Sequence, residues 1–127
     1  MAGTLTLTTL SDGTNSTSVT NAILGSTKAW VNFNGSSGTI RASYNVTSVT
    51  RNGVGDYTIN FTNAFADANY ILTGHTERNG TDYDAVICLN PSVAAPTTTA
   101  CRICRLQGNV NFVNVVDGTY THVQFIR

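Results

Sequence analysis

A chain of 127 residues is one domain in size and long enough to bury a core without disulfides or metal. Seven basic and seven acidic side chains cancel, and charged residues are only 11% of the chain, less than half of the roughly 25% usual in soluble domains. Phosphate binding needs clustered Lys and Arg, so scattered basic residues argue against nucleic acid as a partner, and no apolar run has the length of a membrane-spanning helix.

Solubility must then come from the many Thr, Asn and Ser side chains, and near-zero net charge removes one barrier to self-association. The start, Met1-Ala2-Gly3-Thr4-Leu5, lacks the basic and apolar stretches of a secretory signal, so synthesis and folding are expected in the cytoplasm. Leu5 and Leu7 share a face in an alternating stretch over 4–9. A polar tract, Ser11-Asp12-Gly13-Thr14-Asn15-Ser16-Thr17-Ser18, and an apolar pair, Ile23-Leu24, follow. Residues 1–25 therefore read as an arm or linker, and 26–127 as the folded domain. Burying Leu5, Leu7, Leu10, Ile23 and Leu24 is worth roughly 1.5–3 kcal/mol each. Ordering some twenty residues costs on the order of 1–2 kcal/mol each in backbone entropy. The five side chains do not offset that alone, so they are expected to order against a partner surface and are candidate assembly residues.

From Lys28 onward the period is two. In Asp56-Tyr57-Thr58-Ile59-Asn60-Phe61-Thr62, Tyr57, Ile59 and Phe61 point one way and their neighbours the other. Further strands are predicted over 29–33, 39–49, 70–76, 83–89, 101–106, 110–116 and 119–126. Asn34-Gly35, Asn52-Gly53, Asn79-Gly80 and Asp117-Gly118 separate them, and Asx-Gly pairs suit tight hairpins because both residues reach positive φ at little cost. Asp117-Gly118, between 110–116 and 119–126, is the strongest hairpin signal. No segment shows a helical period. The expected fold is all-β, an antiparallel sandwich, jelly-roll-like, with an extended N-terminal arm.

Three blocks then stand out: Lys28-Ala29-Trp30-Val31-Asn32-Phe33-Asn34-Gly35, Ile40-Arg41-Ala42-Ser43-Tyr44-Asn45-Val46, and Gly55-Asp56-Tyr57-Thr58-Ile59-Asn60-Phe61. With Asp67-Ala68-Asn69-Tyr70 they resemble a module of small tail-fibre-like virion proteins of phages, many infecting marine bacteria and cyanobacteria. The likeness spans residues 28–70 and stops there. It implies a phage structural role and a homotrimer, and it supplies no catalytic residues.

Candidate chemistry is sparse. Cys101-Arg102-Ile103-Cys104 has C-x-x-C spacing, but a redox pair needs a helix N-terminus, and strand neighbours three apart point to opposite faces. Zinc needs four ligands, and only Cys88, His75 and His122 remain, without recognisable spacing. An odd number of cysteines argues against a disulfide framework, so free, buried thiols are expected. His75 and His122 lie in alternating strands with no nucleophile motif nearby, so structural placement is the expectation. Asn-x-Thr triplets such as Asn45-Val46-Thr47 arise readily in so Asn- and Thr-rich a chain and are expected to stay unmodified.

Glu77-Arg78-Asn79-Gly80-Thr81-Asp82-Tyr83-Asp84 is the densest polar cluster. Its carboxylates lack the spacing of a calcium loop, so it reads as a hairpin tip, and Glu77, Arg78, Asp82, Tyr83 and Asp84 are candidate receptor contacts. The loop over 90–99, stiffened by Pro91 and Pro96, is either a second contact loop or a plain connection. Trp30 opposes Ala29, Val31 and Phe33 by alternation, so it is a sugar-stacking platform or, the preferred reading, fills a seam between subunits or the core.

The expected function is a non-enzymatic virion structural protein without metal or cofactor. It would be a trimeric tail-fibre-type protein made in the host cytoplasm, contacting other virion proteins and a host-surface glycan. The alternative is a capsid decoration or cement protein clamped by its arm to the major capsid protein. A glycan-processing enzyme is a third class, for which no acid–base constellation is evident.

Overall fold

The computed structural model of the chain describes residues 3, 5–77, 85–108 and 113–127. In the N-terminal segment the polar tract closes on itself. Strand β1 (Thr9–Ser11) pairs antiparallel with β2 (Ser16–Ser18). The Asp12 carboxylate holds the turn between them, accepting from the Thr14 and Asn15 amides at 2.9 and 2.6 Å. Helix α1 (Val19–Leu24) follows, with Ser18 as N-cap accepting from the Asn21 amide at 3.1 Å. No helix is expected from the sequence, and six residues explain why: fewer than two turns cannot display a period of 3.6. Of the alternating stretch over 4–9, residues 5–8 lie outside any strand and Thr9 opens β1.

Alternation then becomes strand: β3 (Thr27–Phe33), β4 (Ile40–Tyr44), β5 (Val46–Gly53), β6 (Asp56–Phe61), β7 (Ile71–Thr76), β8 (Ala85–Leu89), β9 (Ala100–Gly108), β10 (Val113–Val115) and β11 (Thr121–Ile126). One antiparallel sheet has the order β4-β3-β11-β7. The second has the order β10-β9-β6-β5, with β8 on the other flank of β9. Strands β6 and β10 occupy the same edge of β9 end to end, against Ala100–Cys104 and Leu106–Gly108. The sheets face each other through Ala29, Val31, Phe33, Val123 and Phe125 from the first and Tyr57, Ile59, Phe61, Cys101 and Ile103 from the second. Phe61, Phe65, Tyr70 and Phe125 meet edge-on or tilted at one end, with ring centroids 4.6 to 6.4 Å apart. The sandwich is the expected one, although β3–β4, β5–β6 and β8–β9 are hairpins within a sheet, whereas a jelly roll changes sheet at nearly every step.

Two local expectations are corrected. The strand predicted over 39–49 is two strands in different sheets, bent apart at Asn45, whose φ of 55° lies in the left-handed region. Its side chain fastens the corner, donating to the Lys28 and Asn63 carbonyls at 3.1 and 3.2 Å and accepting from the Asn63 amide at 2.7 Å. The turn predicted at Asn52-Gly53 sits at Val54-Gly55, where Gly55 has φ 60° and a Cβ would lie 2.6 Å from the Val116 carbonyl oxygen.

Asp117-Gly118 is not a hairpin. Strand β10 pairs with β9, whereas β11 pairs with β3 and β7, so the Asx-Gly pair carries the chain from one sheet to the other. Tertiary bonds outweigh its hairpin propensity. The Asp117 carboxylate accepts from the Gly55 amide at 2.8 Å, the Tyr57 hydroxyl at 2.7 Å and the Arg51 guanidinium at 2.6 Å. Gly118 is packed so closely that a Cβ would meet Thr76 Oγ1 at 2.5 Å, and its carbonyl accepts from the Gly35 amide at 2.7 Å. Arg105, only 2% exposed, lies beneath this crossing, bonded to Thr76 Oγ1 at 2.8 Å and to the Glu77 and Asp117 carbonyls at 3.1 and 3.3 Å. The Asn79-Gly80 pair lies outside the described residues.

Candidate functional site

The alternation that turns Ala29, Val31 and Phe33 inward turns Trp30 and Asn32 outward on the far side of the same sheet. Antiparallel register then sets their neighbours. Trp30 stands opposite Tyr44 on β4 and Gln124 on β11, and Gln124 opposite Thr73 on β7. One row along, Asn32 stands opposite Ala42 and His122, and His122 opposite His75. All of these except Tyr44 line a shallow depression of about 420 Å³. The small side chain of Ala42 beside Asn32 leaves it open, whereas Gly74 lies opposite Val123 on the inner face, where a Cβ would meet Ile87 at 3.0 Å. Trp30 is 40% exposed at the wall of the depression, so it fills no core within the chain, and Tyr44 beside it is more exposed still. The Asn32 carbonyl oxygen Oδ1 is buried with no partner among the described residues. Among the described residues the lining contains no Asp, Glu, Lys or Arg.

No protein-family model, curated protein or solved structure matches this chain. The chemistry of its surfaces is therefore read from the side chains alone. An exposed indole beside amides and imidazoles, without a formal charge, suits a ligand that offers both an apolar face and hydroxyls.

The other predicted residues are distributed elsewhere. Glu77 is engaged within the chain: its carboxylate accepts from the Thr119 and Tyr120 amides, and its carbonyl from Arg105. Arg78, Asp82, Tyr83 and Asp84 lie outside the described residues. In the 90–99 loop the second half is tied down, since Thr98 and Thr99 accept from the Phe65 and Phe61 amides, both at 2.8 Å, and Thr97 from the Tyr70 hydroxyl at 3.1 Å. Leu5, Leu7, Leu10, Ile23 and Leu24 are all exposed on the N-terminal segment.

The thiols are free. Cys101 faces the core, where burial pushes its pKa up to about 11 despite a hydrogen bond with Tyr70. Cys104, on the opposite face of β9, is directly across from Cys88 and is likewise shifted up, by burial first and the neighbouring thiol second. Among the described residues no three His, Cys, Asp or Glu side chains stand together as a metal site.

Tyr44, Asn32 and Gln124 are the members of the outer face that sequence reasoning does not single out. Strand parity alone puts Asn32 with Trp30, but only the cross-strand register, a set of long-range pairings, brings Gln124, His122 and Tyr44 beside them.

Proposed function

We propose that this chain is a non-enzymatic phage virion structural protein, a trimeric tail-fibre-type protein that attaches through its N-terminal segment and presents the sandwich as a host-recognition surface. The observation that carries this reading is the division of labour between apolar groups. The sandwich buries a complete core of its own, whereas Leu5, Leu7, Leu10, Ile23 and Leu24 remain in solvent on a hairpin and a six-residue helix. A helix that short is marginal by itself. Burying five such side chains in a partner is worth up to roughly 1.5–3 kcal/mol each, which favours attachment through this segment. The likeness of residues 28–70 to the tail-fibre module supports a virion as the place of attachment and three as the copy number.

Gold-labelled antibody against the purified chain, applied to intact particles, tests the location. Label at the tail is the expected result. Label spread over the head would replace this reading with that of a capsid decoration or cement protein, and unlabelled particles would remove the virion role. Multi-angle light scattering should return a mass three times that of one chain, and a monomer would end the trimer reading.

A further inference from the structure

We propose that the outer face of the four-stranded sheet is a binding site for a neutral saccharide, with a pyranose ring stacked on Trp30 and its hydroxyls held by Asn32, His122 and Gln124. The proposal rests on the recognition role given above and names the class of ligand that this role would engage.

Three features of the face converge on that class. The depression of about 420 Å³ falls within the range of about 300–1,000 Å³ typical of small-molecule sites. Trp30 supplies a flat apolar wall, and the C–H face of a sugar ring is the apolar half of an otherwise hydroxylated molecule. Around that wall stand hydrogen-bonding groups without good partners of their own. Asn32 Oδ1 is buried and unpartnered, and Gln124 Oε1 has only a 3.5 Å contact with the Thr27 hydroxyl among the described residues. A buried acceptor left bare is costly, and the Asn32 amide borders the depression, where a turn of the side chain would let Oδ1 accept from a sugar hydroxyl.

Charge narrows the class further. Among the described residues no Asp, Glu, Lys or Arg lines the depression, so no fixed charge there compensates a sulfate, phosphate or carboxylate, and a neutral sugar is the matching occupant. A two-fold contact of this face with itself is a poorer match, because an isologous contact must be self-complementary and two concave faces leave a gap. A three-fold contact, in which the face meets a different surface of the next copy, is the competing occupant that the experiment below separates.

Trp30 is the sole tryptophan of the chain, so its emission reports this face and no other. The full chain is titrated to about 100 mM with glucose, galactose, mannose, N-acetylglucosamine and N-acetylgalactosamine, a range suited to the millimolar affinities of single sugars. The anionic trisaccharide sialyllactose is titrated alongside. A saturable change in emission with at least one neutral sugar is expected. Asn32→Ala and Gln124→Ala should each weaken it about tenfold at unchanged melting temperature, as loss of one hydrogen bond predicts. Trp30→Ala, read by saturation-transfer NMR, should abolish transfer to the sugar. The inference is overturned if no neutral sugar perturbs Trp30, if sialyllactose alone does, or if both amide variants bind like the parent. It is equally overturned if emission follows protein concentration instead and Trp30→Ala dissociates an oligomer, which would make the face a seam. Failure here with gold still on the particle leaves the virion reading standing. A sugar-binding chain that labels no particle keeps the site and loses that reading.

Discussion

Replacing Asp117 with Ala should cost the sandwich about 2.5–7 kcal/mol. The carboxylate, in the crossing from β10 to β11, reaches three groups of the second sheet at once: the Gly55 amide, the Tyr57 hydroxyl and the Arg51 guanidinium. Tyr57 has no exposed surface, so its hydroxyl loses its partner without gaining water, at about 1–3 kcal/mol, and the Gly55 bond to a charged acceptor adds about 1.5–3 kcal/mol. The Arg51 pair is partly exposed, with side chains 31% and 17% accessible, and adds at most about 1 kcal/mol. Asp117→Asn keeps an oxygen for Gly55 and Tyr57 and should lose only about 1–2 kcal/mol. The pH dependence follows from the same bonds. Burial pushes the Asp117 pKa up, but Arg51, Gly55 and Tyr57 together outweigh it and hold the group below its ordinary 3.8. A depressed folded value means the stabilisation is present above pH 3.8 and lost as pH falls through the lower, folded value. Urea denaturation of parent, Asp117→Ala and Asp117→Asn at neutral pH and near pH 3 measures both effects. A loss below about 1 kcal/mol in Asp117→Ala at neutral pH, or an unchanged acid dependence in Asp117→Asn, would refute the account of this crossing.

Three further outcomes are expected. Asn45→Gly should cost about 2–3 kcal/mol through its three lost hydrogen bonds, and Asn45→Ala about 1 kcal/mol more because of the left-handed backbone, measured by the same denaturation. With a thiol reagent at pH 8, Cys88 should react in the folded protein while Cys101, with its pKa of about 11 and no exposed surface, reacts only at the rate of unfolding. Equal reactivity of the two, or a Cys101–Cys104 disulfide by mass spectrometry, would contradict the placement of β9. Deleting residues 1–24 should leave the thermal midpoint of the sandwich within a few degrees of the parent, because its core is assembled without them.

How much of this was legible in advance depended on the range of the interactions. Alternation in β3 and β6 is a local property: it groups Ala29 with Val31 and Phe33, and Tyr57 with Ile59 and Phe61, and each set faces the core. The corner at Asn45 was hidden because β-propensity runs on through it, and only the bonds to Lys28 and Asn63 reveal the break. Asp117-Gly118 carries the local chemistry of a hairpin, yet partners 60 and 62 residues away decide its role. The helix was too short to have a period. The outer face was half legible: Trp30 and the two histidines drew attention one by one, whereas their meeting is a matter of register between strands from opposite ends of the chain.

The ionic groups carry a consequence for how copies of this molecule meet. Asp56, Asp67 and Asp117 are each paired with an arginine, Glu77 is spent on two backbone amides, and Asp12 on its own turn. The other two of the seven acidic residues, Asp82 and Asp84, lie outside the described residues. A body wired in this way projects little field beyond its own outline, and a Debye length of about 10 Å at 0.1 M salt has little left to screen. Neighbouring copies neither repel nor steer one another from afar. Their spacing is set by contact shape and by the hydration of threonine, asparagine and serine, so crowding and brine leave it much the same.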